Sequence, residues 1–134
     1  VREAAMAGIR HANDIRFLDF VADEDMPRLY SAASLFAFPT LYEGFGIPII
    51  EAQKCGVPVL TSNTSSLPEV GGVDGACYVD PLSEQDICLG LRKVLCDPSF
   101  AEHLVTKGYE NAARFDWNES AKRLNTIVEK VIQG

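Results

Sequence analysis

Unbroken apolar runs alternate along this chain with stretches of helical spacing, and that alternation sets the first expectations. Ile15-Arg16-Phe17-Leu18-Asp19-Phe20 is predicted as a strand. Leu35-Phe36-Ala37-Phe38-Pro39 is continuously apolar, the pattern of a strand buried on both faces of a parallel sheet. Val57-Pro58-Val59-Leu60-Thr61 and Ala76-Cys77-Tyr78-Val79-Asp80 are predicted as two more strands. Helical spacing fills the intervals, at 24–33, 48–55 and, briefly, 66–70. Strands alternating with short helices imply crossover units and an α/β class: a Rossmann-like parallel sheet with flanking helices.

Punctuation agrees with that reading. Pro48 suits the first turn of a helix, and Gly56 is placed just past its end. Ser66-Leu67-Pro68-Glu69 and Asp116-Trp117-Asn118-Glu119 have the capping-box form. Ser83 is predicted to cap a helix whose stripe is Ile87, Cys88, Leu91, Val94 and Leu95. Asp97-Pro98-Ser99 ends it and starts another. A last helix, about Trp117 to Ile132, presents Trp117, Ala121, Leu124, Val128 and Val131 on one face. The second half is therefore a helical C-terminal tail. Val1 to Ile9 reads as the inside of a helix without a cap. The expectation is a single domain over 1–134, truncated at its N-terminus and cut from a longer chain.

Composition narrows the function. Of 134 residues, 47% are apolar and 23% charged, so a packed core is expected rather than disorder. Twelve Lys and Arg face nineteen Asp and Glu, a net charge of −7, which disfavours nucleic acid as a partner. No apolar run is long enough for a transmembrane segment. Cys55, Cys77, Cys88 and Cys96 lack C-x-x-C spacing and read as buried, reduced thiols, and His11 and His103 as surface residues. Asp23-Glu24-Asp25 contains an Asp-x-Asp, but it stands before a helical pattern, where acids complement the helix dipole. No metal site is assigned.

One stretch is unlike ordinary core sequence: Glu43-Gly44-Phe45-Gly46-Ile47-Pro48-Ile49-Ile50-Glu51. It follows a predicted buried strand and opens a helix. Two glycines around one aromatic let the backbone turn sharply and approach a ligand. Free N–H groups at Gly46, Ile47, Ile49 and Ile50 would point toward the strand's carboxyl end, where open α/β sheets bind ligands and a helix N-terminus favours an anion. A lone Gly-x-Gly is weak evidence. Two carboxylates add to it, since an acid among Ile49, Ile50, Ala52 and Cys55 needs a partner and carboxylates accept from sugar hydroxyls. Glu43 could equally be a solvated loop charge, and Glu51 could simply stabilise its own helix N-terminus. Tyr42 is a candidate for lining the cleft, and so is Tyr30, although its helical spacing favours core packing.

This stretch, continuing through Ala52, Cys55-Gly56-Val57-Pro58-Val59 and Ser65-Ser66-Leu67-Pro68-Glu69-Val70, resembles the group 1 glycosyltransferases, family four in the carbohydrate-enzyme classification. Phe17-Leu18-Asp19-Phe20-Val21, Leu29-Tyr30-Ser31-Ala32-Ala33 and Phe115-Asp116-Trp117 also fit. The resemblance implies the C-terminal, donor-binding domain of a GT-B enzyme, whose two Rossmann-like domains face a cleft. It implies retaining transfer from a nucleotide-diphosphate sugar to an acceptor hydroxyl in glycan synthesis, with the acceptor, a carbohydrate or lipid-linked, held by the other domain. It implies that Glu43, the candidate catalytic residue, contacts donor-sugar hydroxyls. Backbone amides of Phe45, Gly46 and Ile47, beside Gly44, would bind sugar and phosphates. Glu51 would bind the ribose, and main chain at Phe20 and Val21 the base. No cofactor is implied beyond the nucleotide sugar as co-substrate, and no essential metal. The implied location is cytoplasmic, with peripheral contact at the inner membrane surface as an option for the parent protein.

Two departures stand out. An Arg and a Lys that the family places upstream to neutralise the diphosphate lie outside this chain, and −7 deepens the deficit, so the chain alone is not expected to be a complete catalyst. Ser34 stands where an acid is usual. A sugar-nucleotide epimerase half-domain and a non-catalytic nucleotide-binding module are the rival readings.

Overall fold

The structure is a computed structural model and describes residues 8–133. The helix expected over 1–9 falls largely on residues outside that range. A single 3-10 turn, Ala12–Asp14, precedes the first helix, α1 (Met26–Ser31). The chain then runs β1 (Phe36–Phe38), α2 (Ile47–Lys54), β2 (Val59–Ser62), α3 (Leu67–Gly71) and β3 (Cys77–Val79). Three helices follow: α4 (Glu84–Cys96), α5 (Pro98–Ala112) and α6 (Trp117–Gln133). The strands form one parallel sheet in the order β1-β2-β3, with Phe36 opposite Val59 and Leu60 opposite Cys77.

β2 is central, and all four of its residues are buried. Alternation along it feeds two cores, because successive side chains leave opposite faces of a strand. Val59 joins Tyr30, Ile49, Ile50, Leu67 and Val70 on one face, with Phe36 and Phe38 packed against them. Leu60 joins Cys77, Val79, Val94 and Leu104 on the other. Full burial of each such aliphatic side chain contributes about 1.5–3 kcal/mol. A polar clip holds the layers together. Gln53 on α2 donates to the carbonyls of Gly71 and Gly75, at 2.8 and 3.0 Å. Asn111 on α5 donates to Gln53 Oε1 and to the Val70 carbonyl, both at 2.8 Å. Both amides are buried, so their satisfaction is what makes the burial tolerable.

Helix boundaries follow sequence chemistry where one side chain suffices. Ser83 Oγ accepts from the Asp86 N–H at 3.1 Å, and Asp97 Oδ1 from the Phe100 N–H at 3.1 Å. Asp116 Oδ1 accepts from Asn118 and Glu119 amides, while the Glu119 carboxylate pairs with Lys122 instead of closing the box. Gly56 has the positive φ, +73°, expected just past α2.

Several expectations are corrected. Residues 15–20 do not form a strand in the structure, and Phe20 is 89% exposed. β1, one of the two edge strands of the described sheet, is not buried on both faces: Ala37 is exposed and Phe36 and Phe38 are only half-buried. Ser66 makes no cap hydrogen bond and bonds a neighbouring loop instead. Along α4, Ile87, Leu91 and Val94 pack inward, but Cys88 and Leu95 are exposed, since the stripe drifted wider than the buried face. Cys96 is exposed as well, so the buried-thiol reading holds for Cys77, with Cys55 half-buried. The apolar face of α6 is real in pattern, yet Trp117, Leu124, Val128 and Val131 all stay exposed. Among the described residues, no helix is long and apolar enough to cross a membrane.

Candidate donor-binding site

The residues singled out from the sequence lie at the carboxyl end of the parallel strands, in the loop 39–46 after β1 and the first turns of α2. Two strand-end segments shape that loop. Ser62 Oγ, at the end of β2, donates to the Thr40 carbonyl at 2.5 Å. Ser65 Oγ donates to the Glu43 carbonyl at 2.7 Å. Ser66 Oγ lies 2.9 Å from the Phe45 carbonyl and 3.1 Å from that of Glu43. Two hydroxyls, of Ser65 and Ser66, therefore hold the main chain of the Glu43–Phe45 stretch against the β2–α3 connection, and Ser62 holds Thr40 at the start of the loop. Ser65 does so from φ +58°, the one non-glycine in the left-handed region among the described residues. Such strain persists only where neighbours over-determine the backbone.

The two glycines divide their roles. Gly46 caps α2 at φ +103°, and a Cβ there would sit 2.9 Å from Leu67 Cδ2. Gly44 has open space around it and no positive φ. The fold thus requires the second glycine and has room for a side chain at the first. The helix N-terminus is less open than expected, since the Ile49 N–H is taken by the Gly46 carbonyl at 3.0 Å.

Glu51 is not the buried acid the apolar neighbourhood suggests. On α2 it falls on the outer face, opposite buried Ala52 and Ile49, and is exposed. Its carboxylate Oε2 accepts from the Tyr30 hydroxyl at 3.1 Å. Burial, aided by that hydrogen bond and the nearby charge of Glu51, pushes the Tyr30 hydroxyl up to about 12, so it is a proton donor at neutral pH. Glu51 shares a cleft of about 870 Å3 with Phe45, Ile47 and Ile50 on one side and Phe115 and Trp117 on the other. The Phe45 and Phe115 rings meet edge to face at 6.0 Å. Lys54, Arg114 and Arg123 also line it, against the carboxylates of Glu51 and Asp116. A chain of −7 therefore turns a locally cationic cleft toward Glu51, a distribution that net charge cannot reveal. Lys54 Nζ donates to the Phe115 carbonyl at 3.2 Å, and Arg114 donates to Asn111 Oδ1 at 3.0 Å while lying over the Phe115 ring.

The structure thus gathers Phe45, Ile47 and Glu51 around one space. Glu43, half-buried, and Gly44 stand in the preceding loop outside that lining, and Gly46 is buried beneath it. Phe20 and Val21 lie outside the lining too, in the coil before α1. Tyr42 is 78% exposed. Asp25 of the Asp-x-Asp precedes α1 and accepts from Arg28 Nη1 at 3.0 Å. Sequence reasoning missed the serine clamp and the cationic rim. Hydroxyls carry no periodicity, and Lys54, Arg114 and Arg123 are dispersed along the chain.

Comparison with known proteins agrees with the geometry. Residues 3–111 match the family model described as glycosyl transferases group 1. The O-antigen chain mannosyltransferase B of Escherichia coli is 47% identical over 103 residues, 77% of this chain and 27% of that protein. Sucrose-phosphate synthase from Thermosynechococcus elongatus superposes with a TM-score of 0.83 at 26% identity, covering 90% of this chain and 31% of that one. The C-terminal domain of the group 1 glycosyl transferase LpcC from Francisella tularensis superposes with a TM-score of 0.68 at 26% identity, covering 84% and 58%. This chain spans less than a third of the length of the curated mannosyltransferase it matches. The Glu-x7-Glu frame on a strand–loop–helix unit and the match over most of the chain converge: this protein belongs to the group 1 glycosyl transferases.

Proposed function

We propose that this chain is the donor-holding part of a retaining glycosyltransferase that moves a sugar from a nucleotide diphosphate to an acceptor hydroxyl. The observation that carries this reading is the Glu51 carboxylate, open to a cationic cleft from the first turns of the helix that the Gly-rich loop begins. An ionised carboxylate only accepts hydrogen bonds, and the vicinal hydroxyls of a ribose donate two. Phe45 and Ile47 line the same cleft, so a diphosphate would reach amides at the end of the loop while its ribose meets Glu51. Lys54, Arg114 and Arg123 supply positive potential on the same side. Glu43, in the clamped loop, would orient the donor sugar through its hydroxyls.

The chemical task is to stabilise a departing diphosphate and the positive charge growing on the sugar ring. In this reading protein amides and cations perform the first part without a metal, and Glu43 favours the second. The remainder of the protein would hold the acceptor.

The test uses the intact protein and a panel of GDP- and UDP-sugars. Glu51→Gln keeps the volume but loses charge-assisted acceptance, which contributes about 1.5–3 kcal/mol. Donor affinity by calorimetry is therefore expected to fall roughly 10- to 150-fold with no change in folding. Unchanged affinity would reduce Glu51 to a helix-terminus charge. Residues 1–134 alone are expected to bind donor at about −4 kcal/mol, in the millimolar range, without turnover. Without a facing domain the cleft stays wet, which screens every charge in it. Micromolar binding or transfer by these residues alone would overturn that part of the reading.

A further inference from the structure

We propose that Tyr30 is a positioning residue for Glu51: its hydroxyl pins one carboxylate oxygen so that the other is presented to the nucleotide ribose. This rests on the reading of Glu51 as the ribose acceptor.

Glu51 sits on an exposed helical surface, where its side chain has three torsions and several staggered rotamers to choose among. A ligand hydroxyl can use only those that aim the carboxylate at it. Tyr30, in contrast, is 7% exposed. Its ring is wedged edge to face on Phe36 of β1, with centroids 5.3 Å apart, and belongs to the same core as Ile49 and Ile50 of α2. A tyrosine has two torsions, and here packing leaves neither free. The hydroxyl is therefore a fixed point delivered by α1 to the outer face of α2, 3.1 Å from Oε2.

The bond is also polarised in the right sense. The hydroxyl keeps its proton through the physiological range, so it donates to the Glu51 carboxylate. Oε2 is held, which leaves Oε1 to accept from a ligand in the cleft that Glu51 lines. A phenylalanine at this position would satisfy the core equally well. The hydroxyl is what packing alone does not require.

The experiment titrates the intact protein with UDP and GDP, and with their 2′-deoxy forms, in four versions: unmodified, Tyr30→Phe, Glu51→Gln and the double variant. Tyr30→Phe is expected to weaken binding of the ribonucleotide about five- to ten-fold and to shrink the ribose over 2′-deoxyribose preference, with a urea midpoint close to the unmodified protein's. On the Glu51→Gln background the same substitution is expected to change affinity less than about two-fold, because the residue it positions has already lost its charge. Equal losses in both backgrounds, or an unchanged sugar preference, would make Tyr30 a packing residue and overturn the inference. If Glu51→Gln weakens binding and Tyr30→Phe does not, Glu51 keeps its role and the positioning claim alone fails. If Glu51→Gln itself leaves affinity and sugar preference unchanged, the assignment of Glu51 falls first and this inference with it.

Discussion

In the intact protein, Glu43→Ala is expected to lower kcat for the proposed sugar transfer about 100-fold while the urea midpoint of unfolding stays where it was. The two halves of that expectation have separate causes. Stability is spared because the loop is held through main chain: Ser65 and Ser66 bond the Glu43 and Phe45 carbonyls, which the substitution leaves in place. The side chain itself is half-buried in that loop and is free to serve a ligand. In the proposed role, its loss would remove charge-assisted hydrogen bonds to sugar hydroxyls, about 1.5–3 kcal/mol, and a negative charge near a ring that becomes positive in the transition state. Glu43→Gln keeps an acceptor and its reach but not the charge, so it is expected to fall between the two. Rapid-quench measurement of the transfer step, alongside donor affinity, separates orientation from binding. Turnover at the unmodified rate in Glu43→Ala would make Glu43 a solvated loop charge and move the orienting role elsewhere.

Gly46→Ala is expected to destabilise the domain by about 2–4 kcal/mol, and Gly44→Ala by less than about 0.5 kcal/mol. Gly46 sits at φ +103°, where an L side chain is strained, and its Cβ would approach Leu67 Cδ2 to 2.9 Å. Leu67 is fully buried, so its side chain would have to shift within the core. The strain also acts where α2 begins, so the turn that presents Ile47 and Glu51 would shift and donor affinity should fall with stability. At Gly44 a methyl meets open space, so folding is indifferent to it. Where a phosphate or sugar lies against that backbone in the bound state, Gly44→Ala is expected to weaken donor binding with an unaltered urea midpoint. Equal midpoints for the two variants would show that the loop is softer than its packing implies.

Gly44 and Gly46 stand two positions apart in one motif, and only the structure separates their roles. Periodicity could find the elements because it records which side of each one meets water. The Phe36–Phe38, Val59–Ser62 and Cys77–Val79 strands and all the helices from Met26 onward lie within a few residues of the predicted positions. Local caps were equally legible at Ser83, Asp97 and Asp116, since a cap is decided by residues three apart. The Glu-x7-Glu motif was legible for the same reason: it is contiguous.

What tertiary structure alone decided is everything that depends on which distant segments become neighbours. An apolar run at 15–20 reads as a strand, yet the structure gives those residues no regular secondary structure and leaves Phe20 89% exposed. Ser66 has the letters of a cap, and the nearby Glu43–Phe45 carbonyls claimed its hydroxyl. Glu51 stands among apolar letters, yet the helical turn carried it outward to Tyr30, 21 residues earlier in the chain. The overall charge of −7 suggested a surface hostile to phosphates, while folding brought Lys54, Arg114 and Arg123 to one cleft. Sequence by itself determined the class of fold, its order of elements and the identity of the motif, because local burial and contiguous spacing carry that information. The orientation of the carboxylates, the hydroxyls that hold the loop and the sign of charge in the cleft were decided by packing, because each is a property of pairs of residues that the chain keeps far apart.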